Sequence, residues 1–142
     1  MNTSTEGWTT LIPHRRPMCL IDDVERWSKQ EIVCTTLSHR RHDHPLRDGD
    51  RLHAAQAIEY AAQVIAIHAG LRGRRHGKPG RAGLLVALRH ARLLCRPLHT
   101  LEAPLTIRAH CIAAGDREAA YDAQVGCGGE MILVGRLVVI QD

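Results

Sequence analysis

The chain has no phenylalanine and only two tryptophans and two tyrosines among its 142 residues. Its core must therefore be aliphatic, and it lacks the flat side chains on which a nucleic-acid binder stacks bases. No apolar run approaches the roughly 20 residues needed to span a bilayer. The five cysteines (Cys19, Cys34, Cys95, Cys111 and Cys127) form no C-x-x-C pair. An odd number of cysteines without a secretory leader points to free thiols in a reducing, cytoplasmic setting. No glycine-rich phosphate loop precedes a helix; the run G-L-R-G-R-R-H-G follows one. Nucleic acid and membrane are thus excluded as expected partners. The length suits one domain over 1–142, with residues 1–7 polar and flexible.

What the chain does have is concentrated in residues 52–71, LHAAQAIEYAAQVIAIHAGL. This reads as a helix that is apolar almost all the way round. At about 100° per residue, His53, Gln56, Glu59, Tyr60 and Gln63 share roughly a third of its circumference. A helix with so narrow a polar stripe is buried, and a buried carboxylate is costly unless it is bonded or neutralised. Glu59 is therefore either a satisfied structural acid or a group tuned for chemistry.

Around this helix the pattern is that of strands. Residues 18–28 and 30–38 read as a hairpin turning at Ser28-Lys29, and residues 84–95, 105–114, 118–127 and 131–140 read as four further strands. Turn signals stand between the last four at Pro97-Leu98-His99, Gly115-Asp116 and Gly128-Gly129. Residues 8–12 form a short turn or helix ended by Pro13. The glycine- and arginine-rich residues 70–83 break the long helix and return the chain. One apolar helix among about six antiparallel strands predicts an α+β hotdog fold, in which a curved antiparallel sheet wraps a long central helix. Such a sheet leaves an edge strand open, so a homodimer or a heterodimer with another hotdog subunit is expected.

The net charge is +4, from 19 basic and 15 acidic residues. Residues 71–81, LRGRRHGKPGR, hold five Arg or Lys and no acid. The segment reads either as a solvated loop or as a docking patch for an acidic partner. His39, His42 and His44, with Asp43 between, lack the second half of a metal motif and lie among arginines, so no metal is expected.

Three segments resemble the FabA/FabZ-type 3-hydroxyacyl-acyl-carrier-protein dehydratases of the hotdog superfamily. They are LIPHRRPMCLIDDVERW at residues 11–27, IEYAAQ at 58–63 and LLVALRHARLLCRPLHTLEAPLTIRA at 84–109. The helix motif is most similar to the divergent branch of aryl-polyene and xanthomonadin-type pigment clusters. The resemblance implies dehydration of 3-hydroxyacyl chains to trans-2-enoyl chains on an acyl carrier protein, in fatty-acid or polyene-type biosynthesis, without a cofactor. It places Glu59 as the helix carboxyl that protonates the departing hydroxyl, and Gln63 in a supporting role at the acyl site. Tyr60 lines the acyl tunnel or simply packs. The family's G-H-F-P segment, which carries its catalytic His, is absent, and the loop before the helix is about five residues short. For the base, His53 is favoured over His44 because it shares the stripe with Glu59. The acidity of acyl carrier proteins gives Arg72, Arg74 and Arg75 a role in docking them. Two other readings stay open: a catalytically weak partner subunit of a heterodimeric dehydratase, and an acyl-thioester hydrolase.

Overall fold

The computed structural model describes residues 18–75, 83–94 and 96–141. Strands β1 (Asp23–Trp27) and β2 (Glu31–Thr36) come first, then helix α1 (Ala57–Arg75), then β3 (Gly83–Leu93), β4 (Leu105–Ala114), β5 (Glu118–Cys127) and β6 (Glu130–Gln141). They form a six-stranded sheet in the order β1-β2-β4-β5-β6-β3, each neighbouring pair antiparallel. The alternation read from the sequence is what builds it. In β4, Leu105, Ile107 and Ala109 turn inward while Thr106, Arg108 and His110 face solvent. In β5, Tyr121, Ala123, Val125 and Cys127 do the same. Gly128 and Gly129 link β5 to β6 with φ of +56° and +84°, the left-handed pair that a tight two-residue hairpin turn requires.

The inward faces close over α1, which packs on β2, β4, β5 and β6. None of residues 54–73 is exposed. Ala57, Tyr60, Ala61, Val64, Ile65, Ile67, His68 and Leu71 are buried at helical spacing. This is the α+β hotdog arrangement, and its core is aliphatic apart from Tyr60, Tyr121, Cys34 and Cys127. Ile107, fully buried in the central β4, tests that core. Ile107→Ala is expected to cost about 2–5 kcal/mol, read as a lowered urea midpoint at unchanged slope.

Three boundaries differ from the sequence reading. The helix is expected from residue 52, but the chain first makes a 3-10 turn, Ala54–Gln56, capped by His53. It is expected to break at Gly70, yet it continues to Arg75. Each helical glycine costs only about 1 kcal/mol, and the buried Leu71 and half-buried Arg72 anchor the last turns. Residues 18–22 precede β1 without joining a strand ladder, because Leu20 bonds to side chains instead: its N–H to Gln63 Oε1 at 2.9 Å and its carbonyl to Thr36 Oγ1 at 2.6 Å. Residues 1–17, on which the expected flexible start, the expected turn at 8–12 and the opening of the first resembling segment fall, lie outside the described residues, as do 76–82, which include the end of the basic segment.

At the sheet's edges, β1 and β3 each pair on one side only among the described residues. In β3 the register slips between Arg89 and Arg92, and His90 there has a φ of +52°. No helix among the described residues is long and apolar enough to cross a membrane.

Candidate active site

Glu59 lies half-buried in the first turn of α1, held from one turn further along. Gln63 is 1% exposed, and all of its polar contacts are fixed. Its Oε1 accepts the Leu20 N–H, which leaves Nε2 to donate to the Met18 carbonyl at 2.7 Å and to Glu59 Oε1 at 3.1 Å. The backbone of residues 18–20 thus sets the orientation of the amide. The structure therefore brings together Glu59 and Gln63, as the polar stripe suggested.

Tyr60 turns from the stripe into a buried polar cluster. Its hydroxyl lies 2.7 Å from Ser38 Oγ and 3.0 Å from His44 Nε2. His44 Nδ1 accepts the Leu46 N–H at 3.1 Å. Burial, reinforced by the Arg41 and Arg47 guanidinium groups, pushes His44 down to about 4, so it is neutral near pH 7. Burial pushes the Tyr60 hydroxyl up to about 12. Thr36 Oγ1 accepts the Ser38 N–H and also contacts Asp22 Oδ2 at 3.0 Å, and Asp22 accepts the Leu37 N–H.

His53 is exposed, and its Nδ1 accepts the Ala55 N–H at 3.0 Å, capping the turn that leads into α1. His39 is fully buried and bonds the Leu101 carbonyl at 2.9 Å, His44 turns to Tyr60, and His42 is exposed. Among the described residues no group of three His, Cys, Asp or Glu is placed to hold a metal ion. Arg72 is half-buried with Nη1 3.5 Å from Cys111 Sγ, so its guanidinium faces the sheet. The side chains of Arg74 and Arg75 lie outside what the structure describes. Burial, helped by Asp23 and Glu25, raises the Cys34 thiol well above its usual range, as befits an inert core residue.

Sequence reasoning missed a second buried polar group. His68 Nδ1 is 2.6 Å from the Tyr121 hydroxyl and Nε2 is 2.8 Å from the Ser28 carbonyl, with Trp27 edge-on at 6.4 Å. Burial pushes His68 down to about 4. The available signal was the i, i+4 row Tyr60, Val64, His68, which sets two polar side chains on the buried face. Ser38 gave no such signal, since its bond to the helix spans a loop. A cleft of about 350 Å³ lined by His90, Asp122, Gln124 and Arg136 opens on the sheet's outer face, away from α1.

A family model described as ApeP-like, ApeP dehydratase, matches residues 7–142. No individually curated protein matches the chain. Among solved structures, the dehydratase heterocomplex ApeI:P from Xenorhabdus doucetiae is similar at 24% identity, covering 93% of this chain and 88% of that one, with a TM-score of 0.83. A hypothetical thioesterase with coenzyme A from Streptococcus pneumoniae TIGR4 is similar at 14% identity, covering 84% of each chain, with a TM-score of 0.59. The PaaI protein of E. coli, from the phenylacetic acid degradation operon, is similar at 18% identity, covering 79% and 72%, with a TM-score of 0.56. At these identities the likeness to solved structures is one of fold.

Proposed function

We propose that this chain, which belongs to the ApeP-like dehydratase family over residues 7–142, removes water from 3-hydroxyacyl chains carried on an acyl carrier protein. A base takes the α-proton, the C2–C3 double bond forms, and the 3-hydroxyl leaves as water after taking a proton from Glu59. The observation that carries this reading is the Gln63 clamp, which fixes the Glu59 carboxyl in the first turn of the buried helix. The helix start adds its N-terminal dipole, suited to polarising a thioester carbonyl. The thioester itself activates the α-proton, so no metal or organic cofactor enters. We assign the base to His53, acting across a dimer interface built on an open sheet edge, and read 1–142 as one cytoplasmic hotdog domain of fatty-acid or polyene-type biosynthesis.

A second reading has a specific observation in its favour. His53 Nδ1 is spent on the Ala55 N–H, so its neutral ring carries the proton on Nε2 and must give up its cap to act as a base. In that reading this chain brings Glu59 to a shared site and a second hotdog subunit brings the imidazole. The relative from Xenorhabdus doucetiae is itself a dehydratase heterocomplex.

Assaying the purified chain with 3-hydroxyacyl and acyl thioesters, alone and mixed with a second hotdog subunit, separates these readings. Enoyl product from the chain alone, lost by about 10²–10⁴-fold in His53→Ala, supports the first. Product only from the mixture supports the second. Release of free thiol without dehydration contradicts both and favours the hydrolase.

Carrier docking has its own test. Arg72 is engaged with the sheet, so the clean variant is Arg74→Glu with Arg75→Glu. It is expected to raise KM for a carrier-bound substrate about tenfold or more and to leave a small thioester mimic unchanged. Equal effects on both substrates assign the segment to the acyl pocket or the fold.

A further inference from the structure

His44, Tyr60 and Ser38 are 4%, 0% and 1% exposed, and the hydrogen bonds among them have a fixed direction. A backbone N–H can only donate, so the Leu46 N–H obliges His44 Nδ1 to carry a lone pair. A neutral imidazole then holds its one proton on Nε2, which donates to the Tyr60 oxygen 3.0 Å away. With its oxygen accepting there, Tyr60 passes its own hydrogen to Ser38 Oγ at 2.7 Å. The chain of bonds runs from the backbone of Leu46, through the ring of His44, to the helix and on to Ser38.

This arrangement leaves His44 without a nitrogen able to receive a proton. Nε2 already bears one, and a proton on Nδ1 would face the Leu46 N–H. The surroundings also oppose a cation: the ring is buried, and Arg41 and Arg47 are the leading charges acting on it, only partly offset by Asp43. Arg47 meanwhile donates to the carbonyls of Asp50 and His39, tying the same loop to itself.

We propose that His44 is a positioning residue of the dehydration and not its base: as an Nε2–H donor it latches the loop between Ser38 and His53 onto Tyr60, the residue next to Glu59. Tyr60 and Ser38 are the other two parts of the latch. The role in dehydration rests on the reading of Glu59 as the acid, whereas the protonation state of His44 does not.

Nitrogen-15 spectra of the histidine rings in the full wild-type chain test the protonation state without any turnover. The expected result is a His44 ring with an acceptor-type Nδ1 and a protonated Nε2, unchanged from pH 7.5 to about pH 5.5. A ring protonated on Nδ1, or one that becomes a cation near pH 6.5, overturns the proposal. Kinetics supply the second arm. His44→Gln keeps a donor and an acceptor at this place, so its kcat is expected to stay within about tenfold of wild type, with the acid limb of the pH profile unmoved and His44→Ala worse. An equal loss of about 10²–10⁴-fold in both variants, the loss expected of a missing base, overturns it. If wild type turns over no 3-hydroxyacyl substrate in any mixture, the reading of function fails while the spectra still decide the state of His44.

Discussion

Glu59→Gln is expected to fold as wild type does and to lose turnover by about 10²–10⁴-fold, the usual range for removing a general acid. The amide matches the carboxyl in shape, and its oxygen accepts from Gln63 Nε2 as Glu59 Oε1 does at 3.1 Å. What it lacks is a transferable proton on the second position. Stability should change by less than about 1 kcal/mol, since a hydrogen bond of this kind contributes about that much in total. Rate and thermal midpoint measured on the same preparation make the test. Turnover within a few-fold of wild type would make Glu59 a structural residue and remove the main support for its role as the acid.

Acid should destabilise this protein already above the pH at which carboxylates titrate. His44 and His68 are held near 4 by burial, against about 6.5 when exposed in the unfolded chain. Between those values the unfolded state binds more protons than the folded one, so stability falls as pH drops. The contribution is fully present above about pH 6.5. Each ring gives up about 2 kcal/mol by pH 5 and about 3 kcal/mol by pH 4. His39, lowered by its burial, acts in the same direction. Against a total stability of about 5–15 kcal/mol, losses of this size bring the chain close to unfolding. Urea midpoints at pH 7.5 and pH 5 read the effect, and His68→Gln should reduce the difference between them. Midpoints that do not move over this range would contradict the burial of both neutral rings.

The strands were legible because one face of each is buried and the other wet. Leu105, Ile107 and Ala109 against Thr106, Arg108 and His110 write that alternation directly into the sequence. Gly128-Gly129 likewise announced its turn, because few other residues adopt φ of +56° and +84° in succession. The end of the helix was not legible: Gly70 is a stop signal locally, and the burial of Leu71 with the packing of Arg72 on Cys111 overrides it. The polar stripe correctly grouped Glu59 with Gln63, which are one helical turn apart. It also grouped Tyr60 with them, although Tyr60 faces inward to Ser38 and His44. Helical periodicity records which face a residue is on, not which distant loop meets that face. For the same reason the stripe favoured His53 over His44 without showing their surroundings, one an exposed cap and the other a buried ring.

The most direct measurement is the intact mass of a 3-hydroxyacyl carrier protein after incubation with this chain, alone and together with a second hotdog subunit. Loss of one water from the acyl group in either mixture, absent when Glu59→Gln replaces wild type, is the result expected if this chain supplies the acid of a dehydratase. An unchanged acyl carrier in both mixtures, the bare carrier thiol, or full dehydration with Glu59→Gln would contradict it.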